Sequence, residues 1–385
     1  MPSQTPTVFS STELAYLHSS LAASPPIRPD ARAPTTFRPL IAETDLVPFA
    51  NGSARLCFAD GTEGIVGVKA EIETTVTYGS LRGGDRIDPI KQDDAESLRL
   101  GEHDSVEVTI DIPGQRDDDP TIHFLCQMIQ ESFVTDRHLQ RRLYINDHWH
   151  WKLSIDILLL SQPLSYPLPL LSLSTHLALL STRLPALISR GEEDPLFDDD
   201  WDAALPLYTS PSPTSTPRIT NTILSQQTAT TKNSRNKPPV HLLVISVADN
   251  IFFDPSPEEL AVADSVVVIT LTTKARKRNE KSKAGEDDAK GGEGVEVLGI
   301  RTLDPPARGS ASSFAALAQQ SGQPGGEGGG NEDEEGVWRP KVGGMKRAVL
   351  KKMTEMCIKR RGVGEEVMEG LESFARQGKY QMHVL

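Results

Sequence analysis

The feature that most restricts how this chain can fold is an apolar stretch, IDILLLSQPLSYPLPLLSLSTHLALLSTRLP, which runs from Ile155 to Pro185. Its central part carries no fixed charge, so it belongs in a protein core or in a membrane. A spanning helix needs about 20 uninterrupted apolar residues. Here three prolines within 163–169 each remove a backbone donor and break any continuous helix. The stretch therefore predicts a strand over 153–161, a proline-rich turn and a buried helix over 170–184.

The composition indicates a large fold that is interrupted by segments of a different kind. The chain has 385 residues, a formal net charge of −13 and a sequence pI of about 5.2. This charge argues against binding nucleic acid through the whole surface. Segments near 191–237, 274–294 and 305–344 are rich in Gly, Pro, Ser, Thr and charge, so we expect disordered insertions there. The charge is uneven, because 191–202 is acidic whereas KARKRNEKSK (274–283) is basic.

The cysteines and the N-terminal segment bear on the compartment. Cys57, Cys126 and Cys357 are odd in number and widely spaced, so the sequence predicts neither a disulfide framework nor a cysteine metal site. A reducing intracellular compartment fits this usage best. The N-terminal segment has no basic start followed by an apolar run, so we expect no secretory signal.

The first half of the chain carries the clearest local signals. Ser10 and Glu13 have the spacing of a capping box before a short amphipathic helix. In ANGSARLCFADGTEGIVGVKAEI (50–72), Asp60-Gly61 supplies a turn between two arms of alternating apolar residues, which predicts a β-hairpin. Further predicted elements are a strand over 105–113, a helix over 121–134, and two strands around a turn at Asn146-Asp147.

The second half repeats this scheme. The predicted elements are strands over 240–247, 250–255, 264–273 and 294–303, followed by helices near 345–360 and 364–376. The fold class is therefore α+β, built from two similar halves, each a sheet with helices packed on one side.

Several segments, in their order along the chain, resemble one known family. RPDARAPTTFRPL (28–40) followed by the hairpin is similar to the opening of RNase PH-like proteins, which begin with an Arg-x-Asp-Gly-Arg box. INDHWHWKLSIDILLLS (145–161) and FFDPSPEELAVADSVVVITL (252–271) resemble later landmarks of the same family. Within it, the chain looks most like a ring subunit of the eukaryotic RNA exosome.

The resemblance implies an RNase PH-like fold (ribosomal protein S5 domain 2-like) of duplicated β/α halves with long disordered insertions. It covers about 28–190 and 238–304 well. The domain limits that follow are an N-terminal helix and arm at 1–27, a first half at 28–190, an acidic and Pro/Ser/Thr-rich insertion at 191–237, and a second half at 238–385. One departure is Ala31, where the box of the family has Gly. Because a loop glycine often supports a positive φ, we expect this turn to differ.

The family includes phosphorolytic 3′-to-5′ exoribonucleases, which need a pocket for inorganic phosphate made by backbone amides and an Arg. The resemblance places their Asp-Gly-Gly-Thr-Arg-like turn at SQPLSYPLP (161–169), which has neither Arg nor Gly. Aligned without gaps, the two Asp residues of catalytic members fall on Leu260 and Val266. The resemblance therefore implies a subunit with no catalytic residues, no metal and no cofactor.

Two other classes of function remain open at this point. One is an active phosphorolytic exoribonuclease with a site rebuilt around Asp254, Glu258, Glu259 and Asp264, four carboxylates that lie close in sequence. A two-residue gap would bring Asp264 to the second Asp position. The other is a free-standing RNA-binding module, which would bind RNA tightly and in a salt-sensitive way.

Three shorter motifs have both a functional and a structural interpretation. His148 and His150 share one strand face and could form a metal pair, but no third ligand has a matching spacing, which favours a hairpin end. YGSLRGGDR (78–86) lacks the Lys-Ser/Thr of a P-loop, which favours a plain loop. The basic block 274–283 suits a nuclear-localisation signal or an RNA contact, although a solvated loop is the commoner meaning.

The resemblance implies a non-catalytic structural subunit of the exosome ring, which shapes the RNA channel for 3′-to-5′ processing and degradation in rRNA maturation and mRNA turnover. Implied partners are other RNase PH-like ring subunits, the exosome cap proteins, the associated nuclease and RNA in the central channel, with no membrane. The implied location is the nucleus, nucleolus and cytoplasm. Candidate RNA contacts are Arg116, Arg137, Arg141 and Arg142, each of which could instead be a surface ion-pair partner.

Overall fold

The computed structural model describes residues 9–75, 105–116, 118–146, 148–189, 194–208, 237–273, 294–303, 344–377 and 379–382. The predicted loops at 78–86 and 274–283, and almost all of the predicted insertion at 305–344, lie outside these residues.

Six strands form the first sheet: β1 (Leu40–Thr44), β2 (Gly52–Phe58), β3 (Glu63–Thr74), β4 (Val106–Asp111), β5 (Trp149–Leu159) and β12 (Lys379–Met382). Their order across the sheet is β12-β1-β2-β3-β5-β4. The predicted hairpin is confirmed, because β2 and β3 pair in antiparallel register around a turn at Gly61, whose φ is 84°. Strand β4 pairs with β5 in parallel and lies at the edge.

The second sheet has the order β11-β10-β8-β9, and all its strands are antiparallel neighbours. Its strands are β8 (Val240–Val247), β9 (Asn250–Phe253), β10 (Ser265–Thr273) and β11 (Val295–Leu303). A small separate pair consists of β6 (Arg183–Leu184) and β7 (Leu205–Pro206). The four predicted strands of this half are confirmed.

Seven helices accompany the sheets in the described part of the chain: α1 (Ser11–Ala22), α2 (Pro120–Thr135), α3 (Arg137–Leu143), α4 (Leu168–Ser181), α5 (Pro257–Ala261), α6 (Arg347–Ile358) and α7 (Val363–Gln377). The capping box predicted for α1 is present. Ser10 N donates to Glu13 Oε2 at 2.8 Å, and Glu13 N donates to Ser10 Oγ at 3.3 Å.

Helix α4, the second part of the apolar stretch, lies between the two sheets. It packs against β2 and β3 on one side and against β8 on the other, and every residue from Leu168 to Leu179 is buried. A helix that is apolar on all sides is expected in such a place. The predicted buried helix is therefore confirmed, although it ends at Ser181. Among the described residues, no helix is both long enough and apolar enough to cross a membrane.

Helix α1 contacts the second half of the fold, and strand β12 contacts the first half. Helix α1 packs on the second half, where Asn250 Nδ2 donates to the backbone oxygens of Leu21 at 2.8 Å and Ala23 at 3.0 Å. At the other end, β12 pairs with β1 in the first sheet. The two sheets therefore form one interlocked core.

One predicted strand is wrong. Residues Arg137–Leu143 form helix α3, and Tyr144 makes only an isolated bridge to His150. The physical reason is that Leu139 and Leu143, four residues apart, are both fully buried on one helical face. Burial of these two leucines on one helical face outweighs the strand-like pattern of the sequence before the turn at Asn146-Asp147.

Part of the predicted acidic insertion is also ordered. Residues 194–208 are described and include β7, and Phe197 lies against Trp151 with ring centroids 4.9 Å apart. Leu207 and Tyr208 are buried. These apolar side chains give an otherwise acidic segment enough buried surface to stay on the fold.

Candidate functional site

The segment between α1 and β1 positions three arginines beside the loop after β9. Ala31 N donates to Arg28 O at 3.1 Å, which closes a tight turn. Ala31 has a φ of 61°, so the turn keeps the left-handed backbone even though the residue is not glycine. The expected change of this turn is therefore wrong. An L-residue in this region is strained by about 1–2 kcal/mol.

The first arginine forms a bidentate ion pair with the second half. Arg28 Nε donates to Glu259 Oε1 at 2.6 Å and Arg28 Nη2 donates to Glu259 Oε2 at 2.7 Å, and both side chains are fully buried. Arg28 also donates to the backbone oxygens of Phe253 at 3.3 Å and Asp254 at 3.1 Å. Glu259 is fixed further by a capping box with Ser256 at the start of α5. Every strong donor direction of this guanidinium is used within the fold.

Asp254 is the second anion of the cluster, and its side chain is also fully buried. Arg38 approaches it with Nη2 at 2.8 Å from Oδ1 and with its backbone N at 2.8 Å from Oδ2. Arg32 Nη1 donates to Oδ2 of the same carboxylate at 3.0 Å. Two guanidinium groups therefore share one carboxylate. The backbone of Asp254 is in the left-handed region, with a φ of 47°.

Arg38 extends the cluster to the proline-rich turn. Its Nη1 donates to Asp60 Oδ2 at 2.6 Å and to Ser165 Oγ at 3.1 Å. Its guanidinium lies 4.5 Å from the centroid of the Phe58 ring. Burial alone would lower the pKa of Arg38, but hydrogen bonds and charges from Asp254 and Asp60 outweigh it and raise that pKa. Arg38 therefore stays charged and joins the hairpin, the turn and the second half.

The turn 161–169 is held mainly by its hydroxyl groups. Glu63 N donates to Ser161 Oγ at 2.9 Å, and this hydroxyl donates to Gly61 O at 3.2 Å. Burial raises the pKa of Tyr166 to about 12, so its phenol stays neutral. The polar groups of the turn thus attach it to the β2–β3 hairpin and to Arg38.

The cluster carries one more negative than positive charge. Four carboxylates face three guanidinium groups; the acidic members are Asp30, Asp60, Asp254 and Glu259. The cluster therefore has no excess positive charge to offer an incoming phosphate.

The two positions that the family resemblance, aligned without gaps, assigns to catalytic Asp residues hold buried apolar side chains. Leu260 is in α5 and Val266 is in β10. Asp264 accepts a hydrogen bond from Ala248 N at 2.7 Å and lies 3.8 Å from His18 Nε2, so it caps the β8–β9 turn.

Of the four carboxylates in the alternative rebuilt site, Glu258 lies in the first turn of α5 and Asp264 caps the β8–β9 turn. Asp254 and Glu259 are occupied by arginines. Among the described residues, no group of three or more His, Cys, Asp or Glu side chains could hold a metal ion. His148 and His150 lie at the hairpin end that the sequence favoured, where Asn146 N donates to Trp149 O at 3.1 Å and His150 Nδ1 lies 3.0 Å from Thr75 Oγ1.

The four candidate RNA-contacting arginines differ in their surroundings. Arg116 is exposed and pairs with Asp118 at 2.9 Å. Arg142 donates to the backbone oxygens of Pro206 and Leu207, and burial lowers its pKa. Arg137 and Arg141 lie in α3, and their side chains are outside the described part of the structure. Contact with RNA stays a prediction for all four.

The comparisons with known proteins connect this geometry to a family. The chain is 29% identical over 259 residues to exosome complex component RRP42 of Saccharomyces cerevisiae, a match that covers 67% of this chain and 79% of the yeast protein. This chain is therefore similar to exosome components of the RRP42 type. It is also 29% identical over 211 residues to exosome complex component rrp42 of Schizosaccharomyces pombe, over 51% of this chain and 64% of that protein. No family model matches the chain.

The solved structures that resemble this chain have lower sequence identity to it than the two sequence relatives. The exosome of Archaeoglobus fulgidus with RNA bound to the active site has a chain with a TM-score of 0.43 and 17% identity, which covers 80% of this chain and 98% of that one. An archaeal exosome core gives a TM-score of 0.42 with 18% identity, over 80% and 90% of the two chains. Rice Rrp46 gives 0.41 with 10% identity, over 91% and 99%. The similarity to exosome components of the RRP42 type rests on the two sequence relatives.

Sequence reasoning missed the roles of the three arginines. The signal was present, because Arg28, Arg32 and Arg38 lie in a segment otherwise poor in charge. Their partners in the second half, however, are more than 200 residues away. Of these partners, the sequence drew attention to Asp254 and Glu259, as two of the four carboxylates in the alternative rebuilt site.

Proposed function

We propose that this chain is a non-catalytic structural subunit of the RNA exosome ring. The observation that carries the proposal is the buried cluster of Arg28, Arg32 and Arg38 with Asp254 and Glu259. One of its members, Arg38, contacts Ser165 in the turn to which the family resemblance assigns the phosphate pocket. The cluster makes this part of the fold rigid, and its guanidinium groups and carboxylates are already paired with one another.

Phosphorolysis would need three things that the chain does not bring together here. It needs amide donors for phosphate, but three of the nine residues in the turn 161–169 are prolines. It needs an available cation, but the three arginines are consumed by carboxylates and backbone oxygens. It needs acids that hold a divalent ion, but Leu260 and Val266 stand in their places.

The cluster instead joins four parts of the molecule that the ring must keep in fixed positions. Arg38 contacts the hairpin turn through Asp60 and the proline-rich turn through Ser165. Arg28 attaches the segment between α1 and β1 to α5. Removal of one member leaves a buried charge without its partner, which costs about 3–5 kcal/mol.

The proposed partners are other RNase PH-like ring subunits, the cap proteins, the associated nuclease, and RNA in the central channel. The relatives are named exosome complex components, which supports ring membership. An acidic net charge suits association through apolar and strand-edge contacts. We extend the proposal to rRNA maturation and mRNA turnover in the nucleus, nucleolus and cytoplasm.

Native mass spectrometry of the tagged full chain from its own cells tests ring membership. We expect a particle with several different subunits, each present in one copy. A monomer, or a homohexamer of this chain, would contradict the proposal. A homohexamer would also revive the alternative of a phosphorolytic enzyme.

A further inference from the structure

The chain segments on both sides of residues 190–193 form an ordered strap. β6 pairs with β7, so that Leu184 lies opposite Leu205. Further along, Leu187 bridges to Phe197, and Ile188 N donates to Leu196 O at 2.7 Å. Residues 183–189 and 194–206 therefore run antiparallel. We call residues 183–189 and 194–208 together the strap.

The inward side of the strap is anchored to the body of the protein. The Phe197 ring lies against Trp151 of β5, and Leu207 and Tyr208 are 2% and 3% exposed. The Arg142 guanidinium donates to the backbone oxygens of Pro206, at 3.3 Å, and Leu207. This anchoring fixes the direction in which the other side of the strap faces.

The outward side presents large apolar side chains to solvent. Ile188 and Leu196 are hydrogen-bonded neighbours on the two arms, and they are 52% and 62% exposed. Because side chains alternate between the faces of a strand, they point away from the buried Leu187 and the partly buried Phe197. Trp201, in the short 3₁₀ turn before β7, is 49% exposed. An ordered, exposed apolar patch of this kind marks a contact surface.

The charge around this patch restricts what can bind it. Five aspartates lie between residues 194 and 202, and residues 194–208 contain no Lys, Arg or His. The aspartates are Asp194, Asp198, Asp199, Asp200 and Asp202. RNA phosphates and anionic lipid headgroups are repelled by such a surface. A lysine- or arginine-rich protein segment is attracted to it.

We propose that the outward face of the strap docks a Lys/Arg-rich segment of another protein, whose apolar side chains cover Leu196 and Trp201. Tryptophan at the centre of a contact commonly contributes most of the binding energy, and the aspartates around it favour basic partners and speed encounter. This surface is distinct from the arginine cluster and does not depend on the absence of phosphorolysis.

Photo-crosslinking of the full chain in its native assembly identifies the occupant. Benzoylphenylalanine is placed at Leu196, at Trp201, or at the control position Tyr16, which is 74% exposed on α1. We expect crosslinks from 196 and 201, but not from 16, to one Lys/Arg-rich segment of another protein. Crosslinks to RNA, to residues 274–283 of the same chain, or at the level of the Tyr16 control would overturn the proposal.

A binding measurement with the crosslinked segment, made as a synthetic peptide, tests the chemistry. We expect the L196S/W201S variant of the full chain to bind about 30-fold more weakly or worse. Y16S should bind like the parent. The D199N/D202N variant should lose most of the salt dependence of binding. Equal affinity for all four proteins would contradict the proposal, and unchanged melting temperatures verify that the variants are folded.

Discussion

Arg28 and Glu259, 231 residues apart in sequence, form a bidentate ion pair with both side chains fully buried. The pair joins the segment between α1 and β1 to α5. The stability of the first third of the chain therefore depends on its contact with the last third. A buried pair of this kind adds little over an apolar pair of the same shape, but its separation is costly.

Breaking this pair should destabilise the chain strongly. We expect Glu259→Gln to lower the free energy of unfolding by about 3–5 kcal/mol, because Arg28 keeps a buried charge without its counter-ion. The double variant R28M/E259M should lose less than the two single changes added together. Urea unfolding measures all of these.

A matched control is the exposed pair of Lys351 and Glu355 on α6, with N and O atoms 3.6 Å apart. Its removal by Lys351→Met should change the free energy of unfolding by no more than about 0.5 kcal/mol. Equal effects at the buried and the exposed pair would show that the cluster has no special role in stability.

The strained turn at Ala31 offers a stabilising change. Ala31→Gly should relieve the positive φ of 61° and raise the free energy of unfolding by about 0.5–1 kcal/mol, after the entropy cost of glycine in the unfolded chain. Ala33→Gly lies in the same segment between α1 and β1, but Ala33 has no positive φ. This change should lower the free energy of unfolding. Thermal and urea unfolding of both variants give the sign directly; a loss of stability at position 31 would mean that the turn is not strained.

The close approach of β2 to α4 should tolerate no side chain at Gly52. A Cβ there would lie 2.6 Å from Thr182 Cα and 2.7 Å from Ala178 O, both of which are backbone atoms. We expect Gly52→Ala to cost about 1–3 kcal/mol. Gly67 on the neighbouring strand β3 has nothing within 4 Å of a Cβ, so Gly67→Ala should be neutral or slightly stabilising. Similar effects of both changes in urea unfolding would refute this packing.

Two buried histidines should make stability depend on pH. Burial and the charge of Lys237 lower the pKa of His176 to about 3, and burial lowers the pKa of His241 to about 4. The unfolded chain binds these protons with a pKa near 6.5, so it takes up more protons below that pH, and stability falls as the pH drops.

From pH 7 to pH 5 each histidine should lower the free energy of unfolding by on the order of 2 kcal/mol. This window lies above the range in which most carboxylates titrate. Urea unfolding at several pH values measures how steeply the free energy of unfolding depends on pH. The change His241→Gln should reduce this dependence by the contribution of about one proton. A free energy of unfolding that stays constant over this range would mean that both histidines keep their ordinary pKa.

Local patterns were sufficient for much of the fold. The Asp60-Gly61 hairpin, the capping box at Ser10 and the buried helix α4 each follow from residues that are adjacent or one turn apart. Helix α3 was missed because its two buried leucines, Leu139 and Leu143, are a short signal next to a strand-like sequence.

The candidate site was harder to predict because its contacts are distant in sequence. Nothing local to Asp254 indicates that Arg32 and Arg38 will occupy its carboxylate. The pairing of β12 with β1 is similarly a contact between the two ends of the chain. The sequence shows that 161–169 contains neither Arg nor Gly. It does not show that Arg38 contacts Ser165 in this turn, because the two residues are 127 positions apart.

The most direct test of the central claim is phosphate-dependent degradation of a 3′-labelled RNA by the purified full chain, with nucleoside diphosphates as the measured product. The account predicts no release above a no-protein control at any phosphate concentration, because Arg28, Arg32 and Arg38 are already paired. Release that rises with phosphate, and that stops in the Asp254→Asn variant while that variant stays folded, would contradict it.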